Sequence, residues 1–237
     1  MLKDYVSVDL EMSGLNPRED RIIEIGAVKV TDGQVRERFS VLINPHRKIS
    51  EEIISLTGLT NEMLAEGLED WEGVGQFMEF AGDLPLVGHH IVSDIGFLKT
   101  CAVNHKKNMN NLVVDTLDIA RKILPPEQKK NLKALCQLAG ISYRSAHRAT
   151  EDAEMTHKLL VWLGQQPGAK QEWFEPRELV YKVKKQCPIT KNQIRQLKEL
   201  MEYHGIQSDI EIGSLTKNEA SRKIDKILFN YGRIPKV

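Results

Sequence analysis

Residues 5–15, YVSVDLEMSGL, constrain this chain more than any other stretch. Tyr5, Val6 and Val8 have the aromatic and β-branched composition of a buried strand. Asp9 and Glu11 follow two positions apart, and in an extended strand side chains at i and i+2 leave the same face. Two carboxylates ending an apolar strand on one face are costly unless something positive sits between them. Ser13-Gly14 breaks the strand straight afterwards, which places both acids at its open end. Two readings follow from these residues alone: a solvated strand edge, or half of a divalent-cation site that needs more carboxylates from elsewhere.

The rest of the chain supplies a sheet around that strand. Residues 21–30, RIIEIGAVKV, and 35–43, VRERFSVLI, read as strands joined by Thr31-Asp32-Gly33, with glycine available for a positive φ. The first three strands form an antiparallel meander, ended by Asn44-Pro45. Short helices follow at 50–56 and 60–66, opened by Ser50 and Thr60. Trp71 to Ala81 carries Val74, Phe77, Met78 and Ala81 at helical spacing. Residues 85–88, PLVG, form a short buried strand leading into a helix that carries Ile91, Ile95, Leu98 and Ala102, with Asp94 on its first turns. Residues 113–116 form another strand running into a helix that reaches 123 and stops at Pro125-Pro126. Helix 131–139 is closed by Gly140, and Thr150-Glu151-Asp152 opens a late helix striped by Ala153, Thr156, Leu159, Leu160 and Leu163. Strands first and strand–helix alternation afterwards predict an α/β fold: a mixed sheet, antiparallel meander plus parallel strands, flanked by helices.

Residues 1–166 thus form the main domain. Pro167, Gly168, Pro176 and Pro188 mark 167–189 as a linker. Residues 190–237 form a small two-helix module, with capping boxes at Thr190/Gln193 and Thr216/Glu219. Two amphipathic helices in so few residues are marginal alone and are expected to dock on the main domain, a partner or each other. The formal net charge of zero conceals an asymmetry: residues 177–237 hold 13 Lys+Arg against 7 Asp+Glu, leaving 20 against 26 in residues 1–176. The basic tail suits a polyanion partner, although a solvated face explains such an imbalance too. Cys101, Cys136 and Cys187 are odd in number and widely spaced, which argues against a disulfide scaffold or a zinc knuckle and for a reducing cytoplasm. No apolar run reaches the roughly 18–20 residues that span a bilayer, and the N-terminus lacks the pattern of a signal peptide.

Asp9 and Glu11 at the end of the first strand, Asp94 after Gly88-His89, and Asp152 five residues beyond His147 line up by context. Three ordered segments carry them: VDLEMSGLNP with RIIEIGAV, VGHHIVSDIGFL, and AHRATEDAEMT. Together they resemble the DEDD-type 3′→5′ exonucleases of the ribonuclease H-like fold, in the histidine-bearing subgroup of the polymerase III epsilon subunit and oligoribonuclease. The resemblance covers roughly residues 3–164. It implies a metal-dependent exonuclease that hydrolyses single-stranded DNA or RNA 3′ ends to nucleoside 5′-monophosphates. Two Mg²⁺ or Mn²⁺ ions are the implied cofactors, since hard cations prefer carboxylate and water oxygens. Asp9 would bridge them, Glu11 and Asp152 complete the first site and Asp94 the second, with His147 as general base.

By the same resemblance Met12 and Ser13 stand where relatives hold the terminal 3′-OH, and Leu15 where an apolar wedge meets the last base. The resemblance implies His89 as a substrate-binding residue, in a segment where relatives usually carry a His-Asn pair; His90 replaces that asparagine and Ser93 a usual aromatic or small apolar residue. Phe97, one turn after Asp94, packs against substrate or in the core. His46, His105, His157 and His204 read as structural or surface groups. The implied partners are single-stranded nucleic-acid 3′ ends and a DNA polymerase acting in trans, without a membrane. A non-catalytic nucleic-acid or replisome-binding module on the same fold is the rival reading, and the intact acids argue against it.

Overall fold

β1 (Tyr5–Met12) is the centre of a five-stranded sheet, flanked by β2 (Ile22–Thr31) and β4 (Leu86–Gly88), with β3 (Gln34–Leu42) and β5 (Val113–Asp115) at the edges. The computed structural model describes residues 2–142 and 148–235. β1, β2 and β3 pair antiparallel as the meander requires, and β4 runs parallel to both β1 and β5. The sheet is therefore mixed, as the strand pattern predicts.

Period-2 alternation sorts the β1 side chains between two cores. Val6, Val8 and Leu10 face a cluster with Val74 and Phe77 of α3 (Asp70–Ala81) and Ile95, Leu98 and Cys101 of α4 (Val92–Asn104). Tyr5 faces the other cluster, with Val28 and Val30 of β2 and Leu159, Leu160 and Leu163 of α7 (Ala149–Gly164). Tyr5 also shares a 2.8 Å hydrogen bond with the buried His157 ring of α7. The short α1 (Glu51–Thr57) and α2 (Asn61–Ala65) start where Ser50 and Thr60 accept backbone N–H groups. α5 (Thr116–Ile123) is capped by Asp115, and α6 (Leu132–Leu138) by Asn131.

The chain divides into two units, and the division corrects the boundaries expected from composition. Residues up to Pro45 and Ile49–Val183 form the first unit. The stretch 167–183 is therefore not a linker. Phe174 is buried, Arg177 pairs backbone-to-backbone with Val113 of β5, and Leu179 and Tyr181 pack on the α3–α4 side of the core. Tyr181 lies so close to Gly96 of α4 that a Cβ there would stand 2.9 Å from its hydroxyl.

The second unit comprises His46–Lys48 and the chain from Lys184 on. α8 (Lys191–Tyr203) and α9 (Lys217–Tyr231) enclose Leu197, Leu200, Leu215, Ala220, Ile224 and Ile227. Both predicted capping boxes are present. Residues 46–48 complete this unit through ion pairs of His46 with Glu211, Arg47 with Glu219 and Lys48 with Asp209. No helix among the described residues is long and apolar enough to cross a membrane.

Candidate active site

Asp9 and Glu11 leave the α7 face of β1, where Asp152 meets them from the first turn of α7. Carboxylate oxygens of the three lie within 4.8 Å of one another. Two residues of β2 hold this convergence in place. Gly26 sits opposite Asp9, and a Cβ on it would stand 2.0 Å from Thr150 N, so only glycine lets the helix start settle on the strand. Glu24 sits opposite Glu11 and is fully buried. Its carboxylate accepts from Arg148 Nη2 at 2.9 Å and from the Ala149 backbone N–H at 3.2 Å. That ion pair and cap anchor the N-terminus of α7 within one turn of Asp152.

Asp94 arrives from the other face. β4 pairs with β1 only at Val6–Leu86 and Ser7–Val87, which leaves the Leu10 N–H beyond the ladder. Asp94, on the first turn of α4, accepts that N–H at 3.1 Å. A backbone group that would otherwise be orphaned thus fixes the fourth carboxylate beside Asp9.

The electrostatics follow from crowding. Burial pushes the Asp9 carboxyl well above its ordinary range, and Asp94, Asp152, Glu11 and Glu24 push it further. Glu11 is pushed up to about 8 by burial and then by Asp152, Glu24 and Asp94, against a smaller opposing pull from Arg148. Burial also pushes Asp94 to about 7, although the Leu10 N–H counters it. A cluster of this kind stores repulsion that a cation would relieve. All of its donors are oxygens, three of the four acids are buried, and Asp9 is half-buried, so the set fits hard divalent ions.

The other predicted positions divide. Leu15 is 87% exposed just past β1. The Ser13 hydroxyl accepts the Arg21 N–H at 2.9 Å and closes the loop after β1, where Gly14 makes room for the Asp20 carboxylate. Met12 packs partly against the core. Phe97 is 3% exposed within the core, so of its two predicted packings the structure has the second. Both ring nitrogens of His89 are engaged: Nε2 donates to the Lys130 carbonyl at 2.8 Å, and Nδ1 lies 2.9 Å from Thr116 Oγ1. His90 takes a positive φ of 67° and donates its N–H to the Asp115 carboxylate. His147 lies outside the described residues. Glu24, Gly26 and Arg148 are site residues that the sequence pattern alone does not single out. The one signal it holds for them is a lone glutamate inside the apolar run IIEIGAV.

A family model described as Exonuclease (RNase T) matches residues 6–160. DNA polymerase III PolC-type of Clostridium perfringens is 37% identical over 157 residues, which are 66% of this chain and 11% of that protein. Its counterpart in Bacillus cereus is 40% identical over 161 residues, with the same shares. The chain thus spans about a tenth of the length of these curated relatives. Among solved structures, Exonuclease X in complex with 5′ overhanging duplex DNA aligns with a TM-score of 0.57 at 24% identity, covering 71% of this chain and 95% of that one. At that identity the likeness is one of fold.

Proposed function

The chain belongs to the RNase T exonuclease family, and on that premise we propose that it is a divalent-cation-dependent 3′→5′ exonuclease of single-stranded DNA ends. The observation that carries this reading is the meeting of Asp9, Glu11 and Asp152 within 4.8 Å, with Asp94 beside Asp9. Asp9, Glu11, Asp152 and Asp94 would together hold the two Mg²⁺ or Mn²⁺ ions. The chemistry such ions supply is Lewis-acid stabilisation of the attacking and leaving oxygens of an in-line displacement.

The chain's own groups do the rest. His147 takes the proton of the attacking water, since an imidazole with an ordinary pKa near 6.5 accepts protons at neutral pH. Attack at phosphorus breaks the P–O3′ bond, leaving a 3′-OH on the shortened strand and a nucleoside 5′-monophosphate. Leu15 wedges against the last base, while Met12 and Ser13 hold the terminal 3′-OH. His89 steadies the start of α4 through Thr116 and Lys130, and Phe97 supports it from the core. Glu24, Gly26 and Arg148 hold Asp152 in register with Asp9.

DNA is favoured as substrate because the relatives are named as DNA polymerases. A DNA polymerase supplied by another chain is the proposed partner, and the cytoplasm the proposed compartment. The test compares single-stranded DNA and RNA in Mg²⁺, Mn²⁺ or EDTA, using wild type and Asp9→Asn. Cation-dependent cleavage of DNA that falls to background in Asp9→Asn is expected. Cleavage in EDTA, or undiminished cleavage by folded Asp9→Asn, would refute the assignment.

A further inference from the structure

We propose that Asp70, Cys101 and His105 form a second cation site, selective for a zinc-class ion, between α3 and α4 of the first unit. The carboxylate oxygen, thiol sulfur and imidazole nitrogen of these residues lie within 4.8 Å of one another. Cys101 and His105 stand four positions apart at the C-terminal end of α4, so both reach one face of the helix. Asp70 is the first residue of α3. Its Oδ1 lies 3.6 Å from His105 Nε2, and its carboxylate accepts the Cys101 S–H.

Helix dipoles favour an acid at the start of α3 and a histidine at the end of α4. They give no reason for a buried thiol to turn toward the same point. A mixed sulfur, nitrogen and oxygen set suits Zn²⁺, with water as the fourth ligand of a tetrahedron. The Asp9 cluster is all oxygen and suits harder ions, so the two sites differ in chemistry. They also differ in place: from Asp94 to His105 the axis of α4 runs roughly 16 Å at about 1.5 Å per residue.

The site is open to solvent on the Asp70 and His105 side. Asp70 and His105 side chains are 41% and 44% exposed, and the Trp71 ring lies 6.3 Å from the His105 ring. Cys101 is buried at 6% exposure. Binding exchanges the Cys101 S–H bond for a sulfur–metal bond, and the proton passes to solvent, with no change of oxidation state. Because uptake releases that proton, it strengthens as pH rises. The bound ion would tie α3 to α4, the helix that carries Asp94.

The test is a Co²⁺ titration of the full-length chain, followed by the near-ultraviolet thiolate-to-cobalt charge-transfer band. The band is expected to saturate at one ion per chain and to be erased by Zn²⁺. It should be lost in Cys101→Ser and in His105→Ala, and persist in Cys136→Ser, Cys187→Ser and Asp9→Asn. His105 is at the surface, so its variant keeps the test decisive if Cys101→Ser does not fold. Absence of the band in wild type, its survival in His105→Ala, or its loss in Cys136→Ser or Cys187→Ser would overturn the proposal.

Discussion

Replacing Glu11 by glutamine should make the ion-free protein more stable at neutral pH while abolishing its activity. Glu11 is 8% exposed, and its pKa is raised from the ordinary 4.5 to about 8 by burial and by Asp152, Glu24 and Asp94. The folded state therefore keeps a proton that the unfolded chain releases, and stability falls as pH climbs from about 4.5 to about 8. At pH 7, two and a half units of that window at about 1.36 kcal/mol each give about 3 kcal/mol. Glutamine mimics the protonated acid and never bears this cost. For a unit of this size each kcal/mol moves Tm by about 2–4 °C, so Glu11→Gln should melt roughly 6–12 °C above wild type. The assay is calorimetry in EDTA at a series of pH values. The gap should open between about pH 4.5 and pH 8 and nearly vanish by about pH 4. An equal or lower Tm for the variant at pH 8, or a gap independent of pH, would refute the view that repulsion is stored at this site.

Glu24→Gln removes a buried charge that pairs with Arg148, and should cost about 2 kcal/mol in urea unfolding, since Arg148 is itself 44% exposed. The same variant should lower kcat more than it raises KM, because Asp152 is displaced rather than lost. Gly26→Ala places a Cβ 2.0 Å from Thr150 N and should destabilise by about 3 kcal/mol with loss of cleavage, whereas Gly75→Ala in α3, with open space around it, should be neutral or stabilising by up to ~1 kcal/mol. Changing the exposed Lys184, Lys185 and Lys191 together to glutamine should reduce the salt slope of single-stranded DNA binding by about 0.7 for each phosphate no longer neutralised; an unchanged slope would confine the basic unit to packing or protein interactions.

The strands and the shared face of Asp9 and Glu11 are legible in the sequence because their signals are local, whereas Asp94 and Asp152 are picked out by the family resemblance of their segments. Alternation in YVSVDLEM puts Asp9 and Glu11 on one face, and the first-turn positions of Asp94 and Asp152 follow from where their helices start. What the sequence hides is non-local. Glu24 reads as one polar residue in an apolar strand until the register sets it opposite Glu11 and α7 brings Arg148 to it. Residues 46–48 carry no pattern that joins them to a unit formed more than 130 positions later. The stretch 167–183 looks like linker because Pro167, Gly168 and Pro176 punctuate it among polar residues, while its attachment depends on isolated anchors at Phe174, Arg177 and Tyr181. His89 stands out by its segment, but only the fold shows that Thr116 and Lys130 engage both sides of its ring.

The central claim is tested most directly by one time course on a single-stranded DNA labelled at either end, in Mg²⁺ or Mn²⁺. The account predicts a ladder that shortens progressively from the 3′ end when the 5′ end is labelled. With the 3′ label, mononucleotide should be released at once, and both patterns should vanish in Asp152→Asn and in His147→Ala. Shortening from the 5′ end, internal cuts without a ladder, or full activity in Asp152→Asn would contradict it.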